Sequence, residues 1–198
     1  KRQIYHSADG GKSWKNKGLK NSEHLSKIIV HPNDPNTVWV ASQGPLWSSG
    51  GERGLYKTTD GGKTWKNMLE IDEWTGVTDL LIDPRNPDVL YCASWQRHRN
   101  VASYIGGGPG TSIYKSTDGG DSWTKINKGL PSSNMGKIGL AISPINPDVV
   151  YAAVETERRK GAVYRSANAG GSWKKMSETV SAGTVSYTHL RAHETMSN

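Results

Sequence analysis

Apolar residues in this chain come in short runs broken by turn residues, and no stretch keeps a helical period. Val38-Trp39-Val40-Ala41, Val89-Leu90-Tyr91-Cys92-Ala93 and Val149-Val150-Tyr151-Ala152-Ala153 have strand length and are rich in β-branched and aromatic side chains. Each follows an Asn-Asp-Pro or Asn-Pro turn. Before each turn stands another apolar run: Ile28-Ile29-Val30-His31-Pro32, Leu81-Ile82-Asp83-Pro84 and Ala141-Ile142-Ser143-Pro144. A third set, Gln3-Ile4-Tyr5, Gly54-Leu55-Tyr56-Lys57, Ser112-Ile113-Tyr114-Lys115 and Ala162-Val163-Tyr164-Arg165, leads into a Gly-rich turn and a tryptophan.

Those tryptophans, Trp14, Trp65, Trp123 and Trp173, stand 51, 58 and 50 residues apart. Self-similarity at such a period marks a repeat architecture. Four strand-length runs per period, with turns between them, predict the blade of a β-propeller. The expected fold is therefore all-β: a partial β-propeller of four-stranded antiparallel blades, about three and a half of them. With the strands lettered A to D, the first full blade reads 26–30, 37–41, 55–58 and 64–68. The expected organisation is a propeller segment at 1–182, with a half blade at 1–16 and blades at about 25–68, 78–125 and 137–176. A tail at 183–198 carries no repeat phrase and reads as adapter-derived or disordered.

The phrase before each tryptophan reads Ser7-Ala8-Asp9-Gly10-Gly11-Lys12-Ser13, then Thr58-Thr59-Asp60-Gly61-Gly62-Lys63-Thr64, then Ser116-Thr117-Asp118-Gly119-Gly120-Asp121-Ser122, and in worn form Ser166-Ala167-Asn168-Ala169-Gly170-Gly171-Ser172. This is a C–D hairpin turn. The carboxylate accepts turn N–H groups, the hydroxyl pins the same loop, and the tryptophan is expected to bury its ring between blades. Asp9, Asp60, Asp118 and Asn168, with their four tryptophans, are structural, since a repeated residue belongs to the scaffold and an active site occurs once. Asn168 still offers an amide oxygen to the turn but would make a poor acid.

The pattern S/T-x-D-x-G-x-S/T-W resembles the Asp-box of the BNR-repeat family, which includes sialidases, xyloglucan-cleaving glycoside hydrolases and the sortilin/VPS10 receptors. The wider wording, GLYKTTDGGKTW and DPRNPDVLY, is similar to bacterial BNR-repeat proteins of glycosyl hydrolase or sortilin type. The resemblance covers about residues 1–180. It implies a propeller, and it implies either a binding scaffold or a glycoside hydrolase.

Composition narrows the partners. The net charge is +7, scattered over turns and strand ends apart from Arg97-His98-Arg99 and Arg158-Arg159-Lys160. With no recognisable module, nucleic acid is not an expected partner. No apolar run approaches the ~18 residues of a membrane span. The single cysteine, Cys92, excludes an internal disulfide and any cysteine cage for zinc, and as part of a strand it is expected to be buried and inert. No metal or cofactor is expected. The His189/His193 pair with Glu194 adjacent falls in the tail and is not taken as a metal site. No leader is present in the segment; a secreted or periplasmic protein with further propeller blades is expected.

Candidate chemistry sits in the loops. A–B and C–D turns fall on one face of a propeller, B–C and D–A loops on the other. The long irregular segments, 42–53, 69–78, 94–111 and 155–160, are all of the second kind, and long loops on a rigid scaffold carry function. They hold the candidate ligand-binding residues Trp47, Arg53, Trp74, Trp95, Arg97, Arg99 and Tyr104. Aromatics beside arginine suit stacking on sugar rings; they suit a peptide or protein partner equally. The leading expectation is a non-catalytic, sortilin-like scaffold that binds a peptide or glycan on this face. The alternative is a glycoside hydrolase with catalytic residues partly outside the segment. Hydrolysis needs facing carboxylates. Asp72, Glu73, Asp79, Glu52 and Glu155 lie in or beside the loops, but their spacing singles out no pair. The Gly106–Gly110 run lacks the lysine and helix of a phosphate loop.

Overall fold

The computed structural model describes residues 3–156 and 160–180. The tail histidines, Arg158 and Arg159 lie outside the described residues.

Three four-stranded antiparallel sheets follow one another along the chain. The first joins β3 (Leu25–His31), β4 (Asp34–Ser42), β5 (Gly54–Thr58) and β6 (Lys66–Leu69), each strand paired with its sequence neighbour. The second joins β7 (Thr75–Asp83), β8 (Asn86–Gln96), β11 (Ile113–Ser116) and β12 (Thr124–Lys125). The third joins β13 (Met135–Ile142), β14 (Val150–Thr156), β15 (Lys160–Ser166) and β16 (Lys174–Val180). Ahead of them stands a hairpin of β1 (Tyr5–His6) and β2 (Lys15–Asn16). Four-stranded meanders repeated in this way are propeller blades, and the all-β propeller class holds.

Alternation along each strand explains the stacking. Odd and even side chains point to opposite faces, so each sheet offers one apolar face to the blade before it and another to the blade after. Trp39, Ala41 and Leu55 of the first blade meet Leu80, Leu90, Cys92 and Tyr114 of the second. Tyr91, Ala93 and Ile113 of the second meet Ile138, Leu140, Val150, Ala152, Val154, Tyr164 and Trp173 of the third. A smaller cluster, Ile4, Leu19 and Val40, seats the first hairpin on the first blade. The Cys92 thiol is buried there, and burial pushes its pKa well up.

The A strands β3, β7 and β13 add hydrogen bonds between blades. Each is bulged near its start, which re-aims side chains at a sheet end. Ser26 at the first bulge donates to the Val77 carbonyl of the next blade (3.1 Å). Asp79, just past the second, accepts from Leu140 N–H of the third blade and from Leu80 N–H, both at 2.8 Å.

The Asp-box turns sit at one rim together with the A–B turns. In every full blade a box amide donates to the A–B turn: Gly61 to the Asn36 carbonyl (3.0 Å), Gly119 to Asp88 (2.9 Å) and Ala169 to Asp148 (2.8 Å). Within the boxes, the first hydroxyl donates to the Asp and accepts the amide four residues on, as in Ser116 to Asp118 Oδ1 (2.7 Å) and Gly120 N–H to Ser116 (2.8 Å). The Asp then accepts from the far side of the turn, as in Ser122 N–H to Asp118 Oδ1 (2.9 Å). In the worn box Asn168 Oδ1 accepts Ser172 N–H at 2.9 Å, while its amide nitrogen donates to the Ser172 hydroxyl at 3.1 Å. There the donor and acceptor reverse and the turn survives.

The tryptophans divide. Trp173 is buried, and its indole donates to Ile126 O of the preceding blade at 2.7 Å; Trp65 donates likewise to Lys17 O at 2.6 Å. Trp123 is half-buried and donates to its own Gly120 O at 3.0 Å. Trp14 departs from the expected burial: it is 62% exposed and folds onto its own Gly11 O, because no sheet packs beneath its ring among the described residues.

Candidate functional site

The opposite rim is built by loops that bond to one another across blades. Gly50 N–H donates to the Glu73 carbonyl (2.8 Å), Arg97 N–H to Trp74 O (3.2 Å) and Arg99 N–H to Leu46 O (3.0 Å). The first blade's B–C loop, the first D–A connection and the second blade's B–C loop thus form one layer. All seven candidate residues belong to it. The 94–111 segment, expected to be irregular, extends β8 to Gln96 and closes a small hairpin of β9 (His98–Arg99) and β10 (Tyr104–Ile105).

Arg53 organises this layer. Its side chain is 3% exposed. The guanidinium donates to Gly50 O (2.8 Å), Gln43 O (2.8 Å), Ser48 O (2.7 Å), Trp74 O (3.5 Å) and Pro45 O. A planar fork with five N–H donors is the side chain suited to gathering that many carbonyls. Gly44 is required beside it, since a Cβ there would lie 2.1 Å from Arg53 Cγ. Burial, with the Arg97 charge adding to it, lowers Arg53 to about 10; the group remains a cation at neutral pH. Arg97 is also buried and donates to Gly44 O at 3.0 Å. These two candidates are therefore turned inward to hold the loops, a correction to their expected presentation to a ligand. Their cationic heads meet backbone carbonyls that would otherwise be buried without donors.

The aromatics divide as well. Trp74 lies against the His98 ring with centroids 4.0 Å apart and has the Arg53 guanidinium 6.0 Å from its centroid. Trp95 donates to Gly106 O (2.9 Å) and carries Arg97 at 5.2 Å and Lys137 Nζ at 5.6 Å from its ring. Both are half-buried and fix the loops. Trp47 and Tyr104 are open, at 59% and 53% exposure. Arg99 sets its guanidinium 5.4 Å from the Trp47 ring and pairs in register with Tyr104. The exposed members of the layer are therefore Trp47, Arg99 and Tyr104, while Trp74, His98, Arg53, Trp95 and Arg97 are half-buried or buried in it. Neither His98 nor Lys137, which also meets Trp95, was among the candidate ligand-binding residues read from sequence. Lys137 lies on β13, about 40 residues from Trp95, with no motif connecting them.

Most of the carboxylates near this rim hold backbone. Asp72 accepts Trp74 N–H and the Thr75 hydroxyl, both at 2.8 Å. Glu52 accepts Asn21 N–H at 2.6 Å and Glu155 accepts Lys137 N–H at 3.3 Å. Asp79 is buried, and burial raises its pKa against the pull of its two N–H donors and of Lys27 and Lys137. The glycine run has a structural use: Gly108 N–H donates to Met135 O (3.1 Å), and a Cβ on Gly107 would stand 2.6 Å from that same oxygen. Among the described residues no group of three or more His, Cys, Asp or Glu side chains is placed to hold a metal. Also among them, no helix is long and apolar enough to cross a membrane.

The fold is shared with known proteins. Residues 2–106 match the Sortilin-Vps10 family, described as Sortilin, neurotensin receptor 3, and the chain belongs to that family. It is also similar to a xyloglucanase of Paenibacillus sp., 26% identical over 148 residues covering 66% of this chain and 13% of that protein. A probable oligoxyloglucan-reducing end-specific xyloglucanase of Neosartorya fischeri is 29% identical over 113 residues, 55% of this chain and 11% of that protein. Among solved structures, an ancestral GH74 enzyme superposes with TM-score 0.67 at 21% identity, over 88% of this chain and 21% of that one. The GH74 xyloglucanase of Xanthomonas campestris gives TM-score 0.65 at 15% identity, over 87% of this chain and 26% of that one. The chain thus spans between 11% and 16% of the curated relatives it matches. These superpositions show a propeller fold like that of the GH74 structures.

Proposed function

We infer that this chain is a segment of a glycoside hydrolase of xyloglucanase type, secreted, whose long-loop rim holds a branched β-glucan while catalytic carboxylates come in part from residues outside it. The observation that carries the reading is the Trp47–Arg99–Tyr104 surface. An indole and a phenol stand exposed on a bonded loop layer, with the Arg99 guanidinium 5.4 Å from the indole ring and suited to bond sugar hydroxyls. Aromatic faces match the apolar faces of pyranose rings, and an anchor immobilised before binding loses little entropy on binding. The relatives' printed activities on xyloglucan and oligoxyloglucan support that class of ligand. Most of the candidate carboxyls near the rim already accept backbone N–H groups, which supports placing at least part of the catalytic pair elsewhere.

The test is retardation of the full 198-residue chain in a native gel containing xyloglucan. Wild type should be retarded. Trp47→Ala should weaken the interaction by about tenfold to a hundredfold, the range for losing an aromatic anchor. Equal mobility with and without the polysaccharide, or retardation untouched by both Trp47→Ala and Tyr104→Ala, would overturn the assignment of this rim.

A further inference from the structure

The positive charge that is scattered along the sequence is gathered by the fold. The A strands bond to one another across blades, as Ser26 does to Val77 and Asp79 to Leu140, so they hold the inner ends of the sheets. The D strands β2, β6, β12 and β16 stand at the opposite edges. From the back of each Asp-box through its D strand the chain runs 12–17, 63–68, 121–128 and 172–176. These segments carry nine lysines, no arginine and a single acid, Asp121. Their surplus is larger than the +7 of the whole chain, so the remainder is close to balanced.

Each outer strand presents its own cation: Lys15 opposite His6, Lys66 opposite Lys57, Lys125 opposite Tyr114 and Lys174 opposite Arg165. All four are exposed, and among the described residues none is in an ion pair with a carboxylate. The nearby acids are already occupied. The box carboxylates accept N–H groups of their own turns, and Asp121 is held by Lys57 at 2.7 Å. Neighbouring rows also touch. Trp65, beside Lys66, donates its indole N–H to Lys17 O at 2.6 Å, and Trp173, beside Lys174, donates its backbone N–H to Lys128 O at 2.8 Å. The rows thus join into a cationic band around the outside of the blades. Blades stack face to face around a channel, which leaves their outer edges free.

One lysine per strand would blunt these edges against pairing. A band of a single sign goes further and concentrates anions along it. The head group narrows the choice of anion. Phosphate favours the planar fork of arginine, whereas lysine is a compact, hydrated point charge. Here every cation of the band is lysine, while Arg53 and Arg97 are turned into the loop layer. We propose that the D-strand band binds a linear polysaccharide of uronic acids, on the outer face of the blades and apart from the long-loop rim. A polymer with one carboxylate per sugar meets a row of single ammoniums on flexible stems without needing a fixed register.

The experiment passes the full 198-residue chain over immobilised polygalacturonate, with the fully methyl-esterified polymer as its uncharged twin. Retention on the acid form at about 0.1 M salt and release at about 1 M are expected, because the screening length falls from about 10 Å to about 3 Å. Changing Lys15, Lys66, Lys125 and Lys174 together to Glu keeps a charge on every edge strand and should weaken binding by about tenfold or more, the scale on which charged surfaces alter association. If that variant does not melt cooperatively, the same four positions changed to Gln make the comparison, with a smaller loss expected. Xyloglucan in solution should leave retention unchanged, whether or not the loop rim binds it. Four results would each overturn the proposal: equal retention on the esterified polymer, wild-type binding by a folded four-position variant, displacement by xyloglucan, or tighter binding to duplex DNA of equal charge, which would make the ligand a phosphate polymer.

Discussion

The two rims of the propeller differ in what their bonding repeats. At the Asp-box rim each turn is closed by the same local bonds, and the turns are tied across blades as well, as when Trp39 Nε1 donates to Gly119 O. Thr58, Asp60, Gly62 and Thr64 bond within four residues of one another, and the same pattern returns at Ser116 and Ser166. At the long-loop rim the contacts span blades, as when Arg97 of the second blade reaches Gly44 of the first, 53 residues away. Repetition at one rim builds a frame that the chain makes over and over. The other rim is assembled once, from segments that resemble nothing else in the chain, and a surface for a particular ligand can form only where the parts are unique. Two ion pairs between blades, Lys57–Asp121 at 2.7 Å and Arg85–Asp148 at 2.9 Å, lie at the repeated rim.

The sharpest way to break the contrast is at Arg53. Arg53→Met keeps the length of the stem but leaves its carbonyl partners without their donor. Unsatisfied buried polar groups cost about 1–3 kcal/mol each, partly recovered by water entering the loop. The expected loss is about 3 kcal/mol in urea denaturation, with Trp74 and Trp47 fluorescence shifting toward that of exposed indoles. Arg53→Lys should recover little, because an ammonium cannot gather carbonyls in a plane. A variant of wild-type stability would mean the loop layer holds itself.

A smaller and repeatable effect is expected at the boxes. Thr58 is 2% exposed and its hydroxyl serves Asp60, Asp60 N–H and Gly62 N–H. Thr58→Val should cost about 1–2 kcal/mol. Ser116→Ala should cost a similar amount, and the two should add, since they sit in separate turns. Strong coupling between them would show that the boxes act together rather than blade by blade.

The boxes also carry a pH signature. The Ser13 hydroxyl, Ser13 N–H and the Ser7 hydroxyl hold Asp9 down to about 2, below its ordinary 3.8. Bonds from the Thr64 hydroxyl and amide and from the Ser122 hydroxyl and amide lower Asp60 and Asp118 in the same way. For a depressed carboxyl the unfolded chain binds more protons in acid, so stability rises with pH. The contribution is complete above about pH 4–5, set by the unfolded value, and is lost as pH falls through the depressed folded values. Asp79 works the other way: its raised pKa makes the folded state the better proton binder, so its contribution falls as pH climbs through that range. Asp118→Asn copies the worn fourth box and should flatten the acid limb of the denaturation curve. An unchanged limb would place the acid sensitivity elsewhere.

What could be read from sequence follows the same division. The boxes, the Asn-Pro turns and the strands between them were legible because each is a local rule stated repeatedly; Asn168 was legible as an equivalent precisely by its place in the repeat. The open aromatic surface was legible as a set of loop residues, since blade order alone assigns B–C loops to one rim. The inward turn of Arg53 and Arg97 was not. Their partners are backbone carbonyls, which carry no residue identity, so no spacing announces them. Lys137 over Trp95 was equally hidden, because that contact depends on the angle between two blades. Trp14 was misjudged for a related reason: its phrase matches the others, but burial depends on what packs beneath it.

The smallest expected effect on stability, and the most informative about the ligand, is at Trp47. Its ring is 59% exposed and touches Arg99 at the edge of the layer, while Trp74 and Trp95 sit deeper and hold loop backbone. Trp47→Ala should therefore change unfolding free energy by less than about 0.5 kcal/mol. Trp95→Ala should cost several times that, since it removes a half-buried indole and strands the Gly106 carbonyl. In xyloglucan retardation the two should differ again: Trp47→Ala should bind weakly while fully folded, and Arg99→Ala should fall between it and wild type. The comparison turns on the pair of measurements. A residue of the frame moves stability and drags binding with it, whereas a residue that meets ligand moves binding alone. If Trp47→Ala instead destabilised the chain as much as Trp95→Ala, the open rim would be one more part of the frame, and the surface that meets polysaccharide would have to be sought on other blades.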